Sequence, residues 1–481
     1  MIELKSLSNR ILSGEKIELI YSFITDLDYQ DLFCLTQYVM VALERAYLIE
    51  AVFMVLKEIL VNSNRANAKR VFFGQKNLDI NSREDYEEGI SLFKKVVLEE
   101  WKSFQPLLEN SDFYIKLIIH RKNNCLHFQI ANNSELIEIE KDRIHSRILA
   151  SDKYDDIITA YREVADYQES AGLGIVMMIL FLRSIHLSKD NLKIHSENGH
   201  TTTFLSIPEV IIPQEVSNKV LEYIYTGLGQ IYCLPDSLQS ILETQDPVEF
   251  RTQVKAGLQK NISFMIEAFR YLKDPGSIRN LDDIINSYDE QELRKIIRNL
   301  ISVPCSHEIG QELEKEYEHG LRSAFISKEI GRKVGIPNLD LLFIGSLIHD
   351  MGKLILISLE GHALTKIHEL TKPSPNSRFV EEVSIGMGHD YIGFKLAKKW
   401  NFPPELVSMI YYHQKNVSSK EAFADYVEIV YLSNMLVNYY EKKIDYLAID
   451  KDILLKYNIP SIEVLDEYLE ELDKEFRTEF S

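Results

Sequence analysis

Cysteine is scarce in this chain and never spaced in pairs. Cys34, Cys125, Cys233 and Cys305 are the only four in 481 residues, and they are scattered. That excludes a disulfide framework and a cysteine-built zinc site, and it fits a reducing compartment. Long apolar runs are also missing. The N-terminal stretch MIELKSLSNRILSGEKIEL has no secretory apolar core, and the longest run extends only from Ile175 to Leu182. A membrane span needs ~20 such residues. Positive charge is in deficit: the net charge is −19 at pH 7, which repels phosphate backbones. The expectation is a cytoplasmic protein that binds neither nucleic acid nor membrane. The remainder is ordinary, with 45% hydrophobic and 26% charged residues, the balance of a soluble globular protein. The length predicts two or three domains.

The pattern changes once along the chain. Residues 17–60 read as helical, with apolar positions at three- and four-residue spacing and no internal Pro or Gly. FYIKLII and CLHFQI flank the polar RKNN and predict a β-hairpin. A charged helical stretch follows at about 137–168, then SAGLG, the apolar helix IVMMILFLRSI, and the strands NLKIHSE and TTTFLSIP. After the proline-bracketed segment 210–213 almost everything reads as helix, punctuated by Pro and Gly at Pro275–Gly276, Gly335–Pro337, Pro373–Pro375 and Pro403–Pro404. The division expected is an α+β domain over 1–209 with an unassigned insert near 77–112, a linker helix over 210–230, and an all-α domain over 231–481. That last domain ends in the acidic helix EVLDEYLEELDKEF.

The all-α part carries the strongest chemical signal. IGSLIHDMGKLIL sets His349 beside Asp350 after an apolar helical run, and imidazole with carboxylate suits a divalent metal. Adjacent helical residues point about 100° apart, so one ion must sit off the helix axis to meet both. Gly352 permits close approach of another element, and Lys353 offers a cation for a phosphate. His319, His389 and His413 lie on other predicted helices, as a site between bundle helices requires. A single buried histidine is more often a satisfied core residue than a ligand. Four of them around one aspartate are harder to place that way.

HDMGK resembles the signature of the HD-superfamily phosphohydrolases, whose His–Asp doublet binds metal. LPDSLQSIL, SIRNLDDIINSYDEQELRKIIRNLIS and GHDYIGFKLAKKWNFPPELVSMIYYHQ resemble successive segments of the HDOD branch, over roughly residues 231–440. The resemblance implies an HDOD helical bundle with His319, His349, Asp350, His389 and His413 as metal ligands and Asp350 and Lys353 as the catalytic pair. It also implies departures. HD domains that hydrolyse cyclic dinucleotides carry a His–His pair and a Gly-Tyr-Pro signature, whereas Gln414 follows His413 here and no such signature occurs. Asn434 stands where the last metal-binding aspartate is expected, and a neutral amide is a poorer ligand for a hard cation. HDOD domains are generally regarded as non-catalytic, so weak or absent hydrolysis is expected.

In the α+β part, LKEILVNSNRANAKRVFF places Glu58 and Asn62 four apart on one helical face, a geometry that suits magnesium. The plain reading is a polar helix end. The order of an asparagine-bearing helix, a hairpin, a glycine turn, an apolar helix and the strand NGHTTTFLSIP resembles the histidine-kinase-like (GHKL) ATPase sandwich. The resemblance makes Glu58 and Asn62 its asparagine box and Gly172 and Gly174 its glycine box. They would bind ATP with magnesium through a helix N-terminus. The adenine-reading Asp-x-Gly-x-Gly is replaced: Asn132 takes the aspartate position and Ser134 the first glycine. The first histidine is His120, inside a predicted strand, so no phosphoacceptor precedes this unit and a self-phosphorylating kinase is disfavoured.

Three functions follow as alternatives. The leading one is a cytoplasmic signalling protein coupling an ATPase-like, nucleotide-binding unit to an HDOD output unit with a residual site for Fe, Mn, Mg or Zn. Its partners would be pathway proteins or a second copy in a homodimer. The second is a metal-dependent phosphohydrolase regulated by its N-terminal half. The third is a scaffold with both units degenerate.

Overall fold

A computed structural model describes residues 4–154, 173–211, 214–229, 231–303, 306–359, 387–415 and 423–480. The chain divides into two compact units, one up to Pro213 and one from Gln214. Among the described residues, no helix is long and apolar enough to cross a membrane.

The first unit combines helices with one five-stranded sheet. Among its described residues the elements are α1 (Leu4–Leu12), β1 (Ile17–Tyr21), α2 (Asp26–Ala42), α3 (Ile49–Gln75), α4 (Arg83–Glu100), α5 (Phe104–Glu109), β2 (Ile115–Lys122), β3 (Cys125–Asn132), α6 (Glu138–Ala150), α7 (Leu173–Ser184), β4 (Leu192–Glu197) and β5 (His200–Pro208). The strands run in the order β1-β2-β3-β5-β4, and every neighbour pair is antiparallel. The expected hairpin is β2–β3. Asn123 and Asn124 make its turn with φ of 53° and 56°, the left-handed pair that a two-residue hairpin turn needs and asparagine tolerates. Strand β3 alternates strictly, burying Leu126, Phe128, Ile130 and Asn132.

One expectation is corrected. Ile17–Tyr21 was expected within a helical stretch over 17–60, but it is strand β1, with Ile17 opposite Ile119 of β2. Five residues are too few for periodicity to separate strand from helix, and pairing with β2 decides. The insert near 77–112 is helical. Tyr86 and Phe93 of α4 and Phe104 of α5 pack on Phe72 and Phe73 of α3, with Phe72–Phe93 and Phe93–Phe104 ring centroids 5.5 Å and 5.7 Å apart.

The second unit is helical throughout its described residues. It opens with α8 (Gln214–Gly227), so the expected linker helix clusters with this unit and buries Val220, Leu221 and Ile224. Then come α9 (Asp236–Glu243), α10 (Pro247–Lys260), α11 (Ile262–Tyr271), α12 (Leu281–Asn286), α13 (Glu290–Ile301), α14 (His307–Val334), α15 (Leu339–Leu347) and α16 (Met351–Ile357). After the undescribed stretch follow α17 (His389–Lys399), α18 (Pro404–Tyr412), α19 (Ala424–Tyr440), α20 (Lys451–Lys456) and α21 (Ile462–Phe480). The long α14 starts at Ser306, whose side chain accepts from Ile309 N, and stops at Gly335 with φ 79°, the left-handed residue that ends many helices. Helix α15 is buried on every side from Leu341 to Leu347, as expected for a helix apolar all round. It packs on α14 and α18, while α14 also packs on α19.

Candidate metal centre

The His–Asp doublet sits in the turn between α15 and α16. Ile348 caps α15, Asp350 caps the N-terminus of α16, and Met351 N donates to Ile348 O at 2.9 Å. Gly352 then lies under the first residue of α17. A Cβ there would fall 2.0 Å from the backbone oxygen of His389, so only glycine lets α17 start this close. His389 opens α17, and His413 follows the last residue of α18. His319 comes from the middle of α14. Three of the four histidines therefore occupy helix ends rather than helix interiors, where short turns aim them inward.

These side chains converge on Asp350. Its Oδ1 lies 2.9 Å from His389 Nε2 and 3.1 Å from His413 Nε2. Its Oδ2 lies 3.3 Å from His349 Nε2, 3.7 Å from His319 Nε2 and 2.7 Å from Lys353 Nζ. The donors form two overlapping triads that share Asp350, each with its ligand atoms within 4.8 Å of one another, and all five residues are buried. Burial alone would raise the Asp350 carboxyl. His349, Lys353 and His389 outweigh that and hold it well below the usual carboxylate range.

The proton arrangement tests whether a metal fits. His349 Nδ1 donates to Ser346 O at 2.6 Å, and His413 Nδ1 donates to Ile410 O at 2.7 Å. Burial pushes the His413 pKa down to about 4, so its ring is neutral at pH 7 and its Nε2 presents a lone pair. That lone pair faces a carboxylate oxygen and, at 3.1 Å, the Nε2 of His389. His349 Nε2 and Asp350 Oδ1 are buried with no hydrogen-bond partner among the described residues. Acceptors pressed together away from water are costly unless a cation, proton or metal, lies between them. The donor set fits a divalent ion.

Asn434 closes the ring opposite. Its Oδ1 is 3.1 Å from His319 Nε2 and accepts from Asn438 Nδ2 at 2.9 Å, while its Nδ2 donates to His413 O at 3.3 Å. The amide is thus oriented with its carbonyl toward the histidines. Gln414 Nε2 lies 2.9 Å from His389 Nε2. One residue of this site escaped the sequence reading. Glu441, just past α19, accepts from His319 Nδ1 at 3.1 Å and 3.2 Å. Burial would raise Glu441, but His319 and Lys443 hold it down at about 2. Its spacing of seven from Asn434 was the available signal.

The asparagine-rich helix of the first unit behaves differently. Gly172 lies outside the described residues. Gly174 of α7 sits against Glu58: a Cβ there would fall 1.9 Å from Glu58 Oε1. Burial raises the Glu58 carboxyl, with Arg65 and a hydrogen bond from Asn62 opposing. Glu58, Asn62 and Gly174 are therefore brought together, and Asn62 is exposed. Asn132 is not on that face. It donates to Asn67 Oδ1 at 3.3 Å and to Ser134 Oγ, and Ser134 Oγ donates to Asn67 Oδ1 at 3.1 Å. Asn67 Nδ2 donates to Tyr114 O at 3.1 Å. Five residues turn a helix by about 140°, so a partner of Asn67 is not a neighbour of Asn62. The expectation of one pocket lined by Asn62 and Asn132 is corrected on that ground. Next to this network, Glu140 is buried between Lys69 and Arg70, with Arg70 Nη2 at 2.7 Å. Burial would raise Glu140, but the two cations hold it at about 2.

The match to a known family falls on the helical unit. Residues 296–416 are an HDOD domain. That span of the HDOD domain contains His319, His349, Asp350, His389 and His413, while Asn434 and Glu441 lie beyond its end. Over 435 residues, 88% of this chain and 84% of the relative, the sequence is 23% identical to an uncharacterized protein of Treponema pallidum (strain Nichols). Among solved structures, the MmoQ response regulator of Methylococcus capsulatus str. Bath is similar at 14% identity, with 51% of this chain and 98% of that one covered and a TM-score of 0.37. An HDOD domain protein with unknown function from Geobacter sulfurreducens is similar at 17% identity, with 55% and 97% covered and a TM-score of 0.30.

Proposed function

We propose that this chain is a regulatory protein whose HDOD domain holds a divalent metal in the histidine–aspartate ring and acts through protein partners, with phosphoester hydrolysis weak or absent. The carrying observation is the buried pair His349 Nε2 and Asp350 Oδ1, which lack hydrogen-bond partners inside a ring of acceptors. Four imidazoles and one carboxylate favour Fe, Mn or Zn over Mg. A bound divalent ion would lower the pKa of a water it holds and polarise a phosphoryl oxygen. Against turnover stand Asn434, which removes a negative charge from the expected ligand set, and Gln414, which removes a histidine. The phosphohydrolase reading is favoured by Lys353, whose Nζ lies 2.7 Å from Asp350 Oδ2 and could meet a phosphate there.

Metal content of the purified chain tests this, beside a phosphodiesterase assay with manganese and an Asp350→Ala control. The expected outcome is bound metal that Asp350→Ala abolishes, and no turnover above that control. Free metal at 100 times Kd should add about 2.7 kcal/mol of apparent stability to the unaltered chain and none to the variant. A metal-free protein sinks the proposal. Robust turnover lost in Asp350→Ala promotes the phosphohydrolase.

For the first unit we propose the narrower role of an input domain. An ATPase-like nucleotide site there rests on Glu58, Asn62 and Gly174 alone, because Asn132 is engaged by Asn67 and Ser134.

A further inference from the structure

Glu441 occupies a position that disfavours it. It caps the C-terminus of α19, where the helix dipole repels a carboxylate. Lys443 pairs with it at 2.7 Å on the outer side. On the inner side both of its oxygens face His319 Nδ1, at 3.1 Å and 3.2 Å. A carboxylate only accepts, so Nδ1 carries the proton and His319 Nε2 is turned inward as the ligand atom. That Nε2 faces Asn434 Oδ1 at 3.1 Å and Asp350 Oδ2 at 3.7 Å. His349 and His413 are oriented otherwise, each through a neutral backbone carbonyl.

The spacing on α19 links these facts. Asn434, Asn438 and Glu441 stand four and three residues apart, one face of a helix. Asn438 fixes the Asn434 amide at 2.9 Å, and Glu441 fixes His319. The residue at 434 carries no charge, and a carboxylate stands two turns along the same face. We infer that Glu441 is the positioning carboxylate of the metal site, supplying through the His319 ring the negative charge that Asn434 withholds. A carboxylate on the far nitrogen of a ligating histidine fixes the tautomer and makes the ring a better donor. This rests on the metal reading above. It makes the second unit a site that keeps its ion with a substituted ligand set, not the remnant of one.

The test is cobalt(II) binding by the full chain, followed by its visible spectrum and by competition with a chelator. Removal of such an outer partner typically costs about 10–100-fold in metal affinity. Glu441→Gln should show that loss with a shifted cobalt spectrum, while without metal it keeps the helix content and the single cooperative unfolding transition of the unaltered chain. Glu441→Asp should recover part of the affinity, and Lys443→Ala should bind as tightly as the unaltered chain or tighter. Unchanged affinity and spectrum in Glu441→Gln overturn the inference and leave the metal reading standing. Equal losses in Glu441→Gln and Lys443→Ala also overturn it, since they would reflect the end of α19 rather than His319. No cobalt binding by the unaltered chain overturns the metal reading itself.

Discussion

Two buried polar clusters, one in each unit, were both readable as ligand sites from residue type, and their hydrogen bonding separates them. Around Asn67 every donor has an acceptor: Asn132 and Ser134 donate to Asn67 Oδ1, and Asn67 Nδ2 donates to Tyr114 O. Around Asp350 the count is unbalanced, with acceptors facing acceptors and two of them partnerless. A closed network rigidifies the unit that contains it. An unbalanced one asks for a cation. Residue types suggest where a site could be, and the balance of protons says whether something is missing from it.

Glycine substitutions break the comparison most sharply on the helical side. At Gly352 an added methyl meets the backbone oxygen of His389 at 2.0 Å, with its Cα at 3.0 Å. Neither can move without displacing the start of α17. Gly352→Ala should therefore cost about 3 kcal/mol or more, at the upper end of overpacking penalties, and should abolish metal binding by moving His389. Urea unfolding beside metal titration measures both. A variant with native stability and native metal affinity would show that α17 is not held by this contact.

The closed network predicts a smaller effect and no ligand effect. Asn67→Ala leaves the Asn132 amide, the Ser134 hydroxyl and the Tyr114 carbonyl short of a partner in a buried site. An unsatisfied buried group costs about 1–3 kcal/mol, so the first unit should lose on that order in denaturant unfolding. Addition of ATP and magnesium should not restore it. Full rescue by nucleotide would mean that the asparagine cluster is a binding site after all, and the contrast between the two units would fail.

Legibility followed the same division. The helical unit was readable because HDMGK, the flanking apolar faces and the histidines' separation into different segments are all local signals, and Gly352 marked the close approach of another element. Glu441 was not, since its role depends on α19 bringing it round to His319, 122 residues away in sequence. In the first unit the hairpin and the last two strands were legible through alternation and turn residues. Strand β1 was too short for its period to speak. Asn62 and Asn67 lie on one helix and share a residue type, and only burial, with Asn67 inside and Asn62 outside, tells them apart.

The smallest expected effect is at Gly174, the counterpart of Gly352 in the first unit. Here too an added methyl meets a neighbour at a forbidden distance, 1.9 Å, but that neighbour is the terminal oxygen of Glu58. A carboxylate at the end of a flexible side chain can swing away where a backbone carbonyl cannot. The substitution also replaces glycine by alanine inside the first turn of α7, which favours the helix by about 1 kcal/mol. The two contributions oppose each other, so Gly174→Ala should change stability by less than about 1 kcal/mol in either direction. Its value is diagnostic. If Glu58 serves a magnesium–nucleotide site, its displacement should weaken ATP binding measured by calorimetry while unfolding stays native. If Glu58 only fills space against α7, both measurements should match the unaltered chain. A large loss of stability would instead mean that Glu58 is held rigidly at this helix end, and the contrast with Gly352 would reduce to one of degree.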